Sequence, residues 1–224
     1  MDRDRQERPE LEDAACSDGV VLTALASAVR TAAFRAIIAT GLPWDPDDGS
    51  VEGADPASVR SAVDQLVKAG RARTDERGRV SASGGLSADP TPHRVQTSHG
   101  ARWTQCAYDA LGILGALGED GAIETTSPSS GAPIRVRFVD GRPVGSEAVL
   151  FLADQSSCCR PNDDWCPNVN LFEDRPSALR WQEQHGIAGR VLTLDEGTEL
   201  GATEWRPLLE QSRPESGGAG SSAR

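Results

Sequence analysis

The stretch from Trp103 to Leu117 constrains this chain most, because it is apolar at helical spacing and carries two reactive side chains. Apolar or small residues recur at intervals of three and four: Trp103, Cys106, Ala107, Ala110, Leu111, Leu114 and Leu117. This spacing predicts a helix with one buried stripe. Cys106 and Asp109 are three residues apart, so the helix would place a thiol and a carboxyl on the same face.

A thiol beside a carboxyl in apolar surroundings has two interpretations. In the first, Cys106 fills space as a small buried hydrophobe and Asp109 lies at the edge of the stripe. In the second, the pair does chemistry, because an aspartate is a poor choice for a helix interior and burying an unpaired carboxylate is costly. Taken alone, the pattern favours packing.

The charge and composition exclude some classes of protein. A formal net charge of −11 and a pI near 4.8 argue against a large phosphate-binding surface, so we expect no nucleic-acid partner. No run approaches the roughly 20 apolar residues that span a bilayer, and the N-terminus is too charged for a signal peptide. We therefore expect a cytoplasmic protein without a membrane partner. In that compartment its five cysteines predict thiols or ligands rather than disulfides: Cys16, Cys106, Cys158, Cys159 and Cys166.

The N-terminal third predicts a leader and two helices. Residues 1–18 are charged and lack periodicity, which predicts a flexible leader. The segment Val20–Ile38 is apolar and rich in alanine, which predicts a helix that ends before Gly41. A second helix should begin at Asp55 and Pro56, because aspartate suits the N-cap and proline suits the first helical position.

This second helix should end at Gly70, and short strands are predicted near Val80 and Val95. Two helices followed by a two-stranded flap form the outline of a winged helix, so residues 19–99 are assigned to a winged-helix-like domain. Such a domain either binds DNA or packs on a neighbouring domain. The acidic chain favours packing, although four arginines follow the second helix closely: Arg71, Arg73, Arg77 and Arg79.

Residues 100–210 predict a core of strands and helices. Ala148–Ala153 is continuously apolar, which is typical of a central strand covered on both faces, and Asp140 and Gly141 favour a tight hairpin. The other predicted elements are the strands Ile134–Phe138, Val169–Phe172 and Arg190–Leu194 and the helices Pro176–His185 and Thr203–Leu209. Helical spacing in the first of these helices predicts that Ala178, Leu179 and Trp181 point inward. Residues 211–224 are rich in glycine and serine, which predicts a disordered tail. The predicted fold class is α+β, with the N-terminal winged-helix-like helical domain packed on a mixed β-sheet core with flanking helices.

A loop carries three of the five cysteines: Cys158, Cys159 and Cys166. Zinc sites normally show paired Cys-x-x-Cys or histidine ligands, and the three histidines lie in no ligand pattern: His93, His99 and His185. A structural zinc held by these loop thiols and Cys106 stays open as a weak alternative. A Cys-His hydrolase is weaker still, because no histidine is paired with Cys106 in the sequence.

From Trp103 to Leu209 the chain resembles the organomercurial (alkylmercury) lyases. Three motifs carry the resemblance: the helix Trp103-x-x-Cys106-Ala-x-Asp109-x-Leu111, the turn Ser130-Gly131-Ala132-Pro133, and the segment Trp165-Cys166-Pro-Asn-Val169-Asn-Leu171-Phe172 followed by the helix of Trp181. Either the first or the third motif alone would be a weak signal, whereas the two together are fairly specific. The N-terminal outline also looks like the domain that wraps the catalytic core in that family.

The resemblance implies a chemical role for Cys106 and Asp109. Mercury(II) is soft and prefers thiolate sulfur. Cys106 and Cys166 match the family's two thiolates, and Asp109 matches its acid-base residue, which would protonate the departing carbon. The resemblance implies an organomercurial substrate, a hydrocarbon and Hg(II) as products, and no cofactor. Low-molecular-weight thiols would remove the Hg(II), which in the family passes toward a mercuric reductase.

The chain departs from the family pattern at the second thiolate. Some relatives have a tandem pair of cysteines there, whereas here Pro167 follows Cys166, and the tandem Cys158-Cys159 lies earlier. Either of the tandem thiols could receive Hg(II) or replace Cys166. Two other functions stay open: a soft-metal sequestering protein, which would not need Asp109, and a metal-responsive regulator, which the acidic charge disfavours.

Overall fold

The computed structural model describes residues 21–48, 51, 53–155 and 160–210. The predicted leader, the predicted tail, Cys16, Cys158 and Cys159 lie outside these residues. The helices are α1 (Ala24–Thr40), α2 (Pro56–Lys68), α3 (Ala107–Leu117), α4 (Arg175–His185) and α5 (Leu194–Glu210). The strands are β1 (Ala72–Thr74), β2 (Val80–Ser83), β3 (Leu86–Ser87), β4 (His93–Thr97), β5 (Gly100–Thr104), β6 (Gly121–Thr126), β7 (Pro133–Val139), β8 (Arg142–Val144), β9 (Val149–Ala153), β10 (Asn170–Phe172) and β11 (Gly189–Thr193).

The fold is α+β, as the sequence predicts, but its strands form two antiparallel sheets instead of a mixed one. Eight strands form the larger sheet in the order β1-β2-β3-β5-β4-β6-β7-β8, and three form the smaller one in the order β10-β9-β11. All strand pairs among the described residues are antiparallel. Short turns join many consecutive strands, and such turns produce antiparallel hairpins, whereas parallel pairs need long crossovers.

Local residue chemistry sets several element ends where the sequence predicts them. Gly41 ends α1 as expected, with a φ of 73°, whereas Thr23 caps the helix so that it begins at Ala24 and not at Val20. The side chain of Asp55 accepts a hydrogen bond from the backbone N–H of Ser58, so it caps α2 as expected. Asp140 and Gly141 make the tight hairpin between β7 and β8 with φ values of 50° and 72°. The apolar strand β9 is central in its sheet and largely buried, as predicted.

The buried apolar residues form two clusters. One joins α1, α2, β1 and β2 and includes Val29, Val63 and Val80. The other is larger and joins α3, α4, α5 and most of the remaining strands. The larger sheet is nevertheless continuous across residues 99 and 100, where β4 and β5 form a hairpin. The division of the chain at that point stays a prediction.

Helix α5 is longer than predicted and packs closely on α3. It begins at Leu194, nine residues before the expected start at Thr203. Two glycines, Gly197 and Gly201, lie inside it and are buried. A Cβ atom on Gly201 would lie 2.6 Å from Gly112 Cα of α3, so the absent side chains permit the close approach of the two helices. None of the helices in the described ranges is long and apolar enough to cross a membrane.

Candidate active site

Cys106 is the N-cap of α3 and does not lie within the helix. The predicted helix starts at Trp103, but Trp103 belongs to β5, where it pairs with Ser87 and Arg94. Helix α3 begins at Ala107, and Cys106 has the extended backbone of a cap residue, with φ −148° and ψ 175°. The pairing of β5 with β3 and β4 therefore outweighs the apolar periodicity, which favours a helix from Trp103 onward.

The Cys106-x-x-Asp109 motif forms a capping box. The backbone N–H of Cys106 donates to Asp109 Oδ2 at 2.9 Å, and the backbone N–H of Asp109 points at the Cys106 side chain. A cap and the third helical residue satisfy each other's backbone groups in this way. The motif thus ends a strand, begins a helix and fixes the thiol beside the carboxyl.

Cys166 reaches the same point from a loop. It follows a π-helical turn at Pro161–Trp165 and begins a short 3-10 turn that leads into β10. Its Sγ lies 4.0 Å from Asp109 Oδ2. The Cys106 sulfur, the Cys166 sulfur and one carboxylate oxygen of Asp109 all lie within 4.8 Å of one another. The structure therefore brings together the three residues that the sequence nominates.

Contacts with the N-terminal region hold the loop that carries Cys166. The backbone N–H of Asn162 donates to Gly70 O at 3.0 Å, and Arg73 donates to Asn162 O at 2.9 Å. Within the larger cluster, the indole N–H of Trp165 donates to Ala153 O at 2.8 Å. The loop is thus tied both to the smaller sheet and to the segment that follows α2.

The three side chains are buried: the exposed fractions are 0% for Cys106, 5% for Asp109 and 4% for Cys166. Burial, with the charge of Glu204 adding to it, raises the pKa of Asp109 to about 7, against the hydrogen bonds from Cys106. Burial also raises the pKa of the Cys106 thiol. Near neutral pH the Cys106 thiol therefore keeps its proton, and the Asp109 carboxyl can both accept and release one.

Gly85 borders the carboxyl of Asp109, although the sequence gives no sign that it belongs to the site. Its φ is +87°, and a Cβ atom there would lie 2.6 Å from Asp109 Oδ1. The backbone carbonyl of Gly85 also accepts the N–H of Gln105, next to the cap. The pair Gly84-Gly85 indicates a tight turn, but its contact with a carboxyl 24 positions later has no local signature.

A cavity of about 520 Å³ opens onto this site. Cys166, Asp109 and Gly85 line it, whereas Cys106 does not. Tyr108 also lines it, donates its hydroxyl hydrogen to Glu204 Oε1 at 2.8 Å, and packs edge-on against two indoles, Trp165 and Trp205. Three aromatic rings therefore form part of the cavity wall, together with charged and polar side chains.

The donor set suits a soft metal ion. Cys106, Asp109 and Cys166 are the one cluster of metal-ligand type found in the described part of the chain. None of the histidines belongs to it; His93 is buried elsewhere with Thr125, and burial lowers its pKa to about 4. Two sulfurs with a single carboxylate match a thiophilic metal better than zinc or a hard cation.

Comparisons with known proteins agree with this chemistry. The family model MerB, described as alkylmercury lyase, matches residues 86–205, which is more than half of the chain. An alkylmercury lyase of Bacillus cereus is 31% identical over 146 residues, covering 64% of this chain and 66% of the relative. An alkylmercury lyase of Streptomyces lividans is 29% identical over 139 residues, covering 61% of this chain and 62% of the relative. The chain thus matches just under two thirds of the length of these two relatives.

Among solved structures, the mercury-bound form of MerB2 is similar to this chain with a TM-score of 0.73. The two are 21% identical, and the match covers 83% of this chain and 91% of the other. At that identity the likeness shows a shared fold.

Proposed function

The chain belongs to the alkylmercury lyase family, and from that premise we propose that it breaks the carbon–mercury bond of organomercurials by protonolysis. The products would be a hydrocarbon and Hg(II). The observation that carries the proposal is the buried group of two thiols and one carboxyl within 4.8 Å. The mercury is substrate and product, and the proposal involves no resident cofactor.

Binding would proceed from the cavity inward. Cys166 lines the cavity and Cys106 is fully buried, so an organomercury cation meets the Cys166 sulfur first and then the Cys106 sulfur. Mercury(II) favours sulfur over oxygen, which drives both thiols to bind as thiolates. Two thiolates on one mercury increase the electron density on the carbon–mercury bond.

Asp109 would carry the proton. When mercury binds the first thiol, the proton of that thiol leaves with the ligand that the organomercury cation carried. When mercury binds the second thiol, the Asp109 carboxylate takes the second proton, which the raised pKa of Asp109 supports. The carboxyl then gives the proton to the carbon while the carbon–mercury bond breaks and its electron pair forms the new C–H bond. Hg(II) stays on the two thiolates, and Asp109 is a carboxylate again.

Turnover would need an external acceptor for Hg(II). A low-molecular-weight thiol could exchange with the two cysteines, and a mercuric reductase could receive the ion afterwards. Cys158 and Cys159 lie outside the described residues, so their assistance in this transfer stays a prediction. A cytoplasmic location likewise stays a prediction.

We further propose that the N-terminal region wraps the catalytic core in a winged-helix-like arrangement. This region comprises the described residues 21–48, 51 and 53–83 of the domain predicted over residues 19–99. Helices α1 and α2 and the β1–β2 hairpin share one apolar cluster, and two arginines from this region line the cavity. The contacts of Gly70 and Arg73 with the Cys166 loop support a covering role.

Headspace gas analysis tests the proposed activity. Reduced protein incubated with methylmercury and excess thiol should release methane in proportion to time, whereas Cys106→Ser and Asp109→Ala should release none. Asp109→Ala keeps both sulfurs, so it should still bind mercury stoichiometrically. The matched control is Asp64→Ala, an exposed carboxylate on α2, which should release methane at the wild-type rate.

One result would reject the lyase, and another would reject Asp109 as its proton donor. Mercury binding without methane from the wild type would leave a sequestering protein. Methane from Asp109→Ala at the wild-type rate would assign the proton to another group.

A further inference from the structure

Two arginines of the N-terminal region line the cavity that Asp109 and Cys166 also line. Arg30 lies on α1, and Arg71 follows α2. Both are half-buried. They come from two separate segments, yet their charges face one space, beside the proposed acid.

Within the described part of the chain, neither guanidinium is neutralised by a direct contact. Among the described residues, no hydrogen bond or salt bridge joins the guanidinium of Arg30 or Arg71 to another side chain, whereas arginines nearby on the surface have carboxylate partners, as Arg73 has Asp163. Burial and the neighbouring charge of Arg71 lower the pKa of Arg30, while Asp109 and Glu204 act in the opposite direction. Two like charges that face one cavity in this way repel each other until an anion lies between them.

Three carboxylates line the cavity, and among the described residues no salt bridge joins any of them to Arg30 or Arg71: Asp109, Asp154 and Glu204. Asp109 is the proton carrier of the proposed reaction and must be neutral when it protonates the carbon, so it cannot also serve as a permanent counter-ion. Glu204 is exposed and already accepts the hydroxyl hydrogen of Tyr108 at 2.8 Å.

We propose that Arg30 and Arg71 form a carboxylate-binding subsite for the mercury ligand. This inference rests on the proposed function, because it names the form in which the substrate arrives. In a solution that contains thiols, an organomercury cation exists as a thiolate adduct, since sulfur outcompetes oxygen and halide for mercury. A carboxylate on that adduct would be held by the two guanidinium groups while the mercury is near Cys166. Planar guanidinium groups are well matched to carboxylates.

The carboxylate could lie on the thiol or on the organic group of the adduct, and measurements of kcat/KM distinguish these two sources. In the first comparison methylmercury is supplied as its mercaptoacetate adduct or as its neutral mercaptoethanol adduct, so the charge lies on the thiol. In the second comparison 4-mercuribenzoate or phenylmercury is supplied with mercaptoethanol, so the charge lies on the organic group. For the source that the subsite recognises, the anionic substrate should have a kcat/KM about tenfold above that of its neutral partner, which corresponds to one charge-assisted hydrogen bond.

The double variant Arg30→Gln/Arg71→Gln should bring that ratio to about one. The control Arg137→Gln removes an exposed arginine of β7 and should keep the wild-type ratio. A general loss of structure would lower both rates together and would not change the ratio. A ratio that is the same in the wild type and the double variant, for both comparisons, would overturn the subsite.

Alkylation of Cys166 tests the carboxylate-binding subsite independently of lyase activity. Iodoacetate and iodoacetamide both transfer a carbon to the Cys166 sulfur with loss of iodide, and only iodoacetate carries a carboxylate. Tandem mass spectrometry assigns the modification to Cys166, and the measured quantity is the ratio of the iodoacetate rate to the iodoacetamide rate. In the wild type this ratio should exceed the ratio for a free thiol in solution. In the double variant it should fall to the free-thiol ratio. This result requires no carbon–mercury cleavage, so a protein that releases no hydrocarbon can still show the subsite. An unchanged ratio in the double variant would reject the subsite even in an active lyase.

Discussion

A methyl group on Gly85 would test the position of the Asp109 carboxyl without altering the carboxyl itself. The added Cβ would lie 2.6 Å from Asp109 Oδ1, and a φ of +87° is strained for alanine. We expect Gly85→Ala to push the carboxyl from the two sulfurs and to lower hydrocarbon release by roughly a hundredfold, the scale of a misplacement of about 1 Å. The measurement is the initial rate of methane release from methylmercury.

The control for this change is Gly78→Ala. Gly78 has a φ of +77° but no atom within 4 Å of the added Cβ, so the strain is similar and the contact is absent. It should lose about 1–2 kcal/mol of stability and keep its activity. Equal rates for the two variants would show that the contact with Gly85 does not position the acid.

The residues of the site differ in how far the sequence reveals them. Cys106, Asp109 and Cys166 stand in motifs of the family, so the sequence alone nominates them. Gly85 and Arg30 carry no such signal, because Gly85 acts on Asp109 by close approach and Arg30 by its charge, each across at least 24 positions of sequence. No periodicity records an interaction of that kind.

Helices α3 and α5 depend on glycine where they contact each other. We therefore expect a glycine-to-alanine change there to destabilise the protein, although the same change usually stabilises a helix. In an exposed helix interior, alanine for glycine stabilises by about 1 kcal/mol. At Gly201 the new Cβ would lie 2.6 Å from Gly112 Cα, a backbone atom that cannot rotate away. We expect Gly201→Ala to destabilise the protein by about 1–3 kcal/mol, the cost of overpacking a core. Urea unfolding measures the difference.

Glu199→Ala is the control on the same helix. Glu199 is exposed, so its replacement should change the free energy of unfolding by no more than about 0.5 kcal/mol. A more stable Gly201→Ala protein would show that the two helices separate at little cost.

The same glycines explain why the sequence places the start of α5 too late. Glycine lowers helix propensity, so the segment before Thr203 gives a weak helical signal. The structure reverses this preference because a glycine on each helix allows close packing. The inward position that helical spacing predicts for Leu179 on α4 is also wrong, since this residue is 45% exposed. Elements with local signals are predicted well, such as α2 with its Asp55 cap.

At the scale of the whole molecule, the buried carboxyl links unfolding to pH. In the unfolded chain an aspartate has a pKa near 4, and in the folded protein that of Asp109 is about 7. The folded state therefore binds the Asp109 proton more tightly than the unfolded chain does. The stabilisation that this proton gives the folded state is fully present below pH 4 and is lost as the pH rises to 7. The upper limit of the loss is about 4 kcal/mol.

Asp109→Asn should remove this pH dependence. The amide is neutral at every pH and its oxygen can still accept the backbone N–H of Cys106. The stability of Asp109→Asn relative to wild type should thus rise between pH 4 and 7 and level off above, as measured by urea unfolding at a series of pH values. Asp64→Asn, which alters an exposed carboxylate, should follow the wild type. A constant difference between Asp109→Asn and wild type would contradict the raised pKa.

The hydrogen bonds from Asn162 to Gly70 and from Arg73 to Asn162 also bear on whether the site can be transplanted. A designer who grafted α3 and the Cys166 loop onto another scaffold would carry both sulfurs and the carboxyl. The graft would leave behind the segment after α2 that anchors the loop from outside. A recipient scaffold must therefore supply a substitute for that anchor, and also for the strand that leads into Cys106 and the two strands that pair with it.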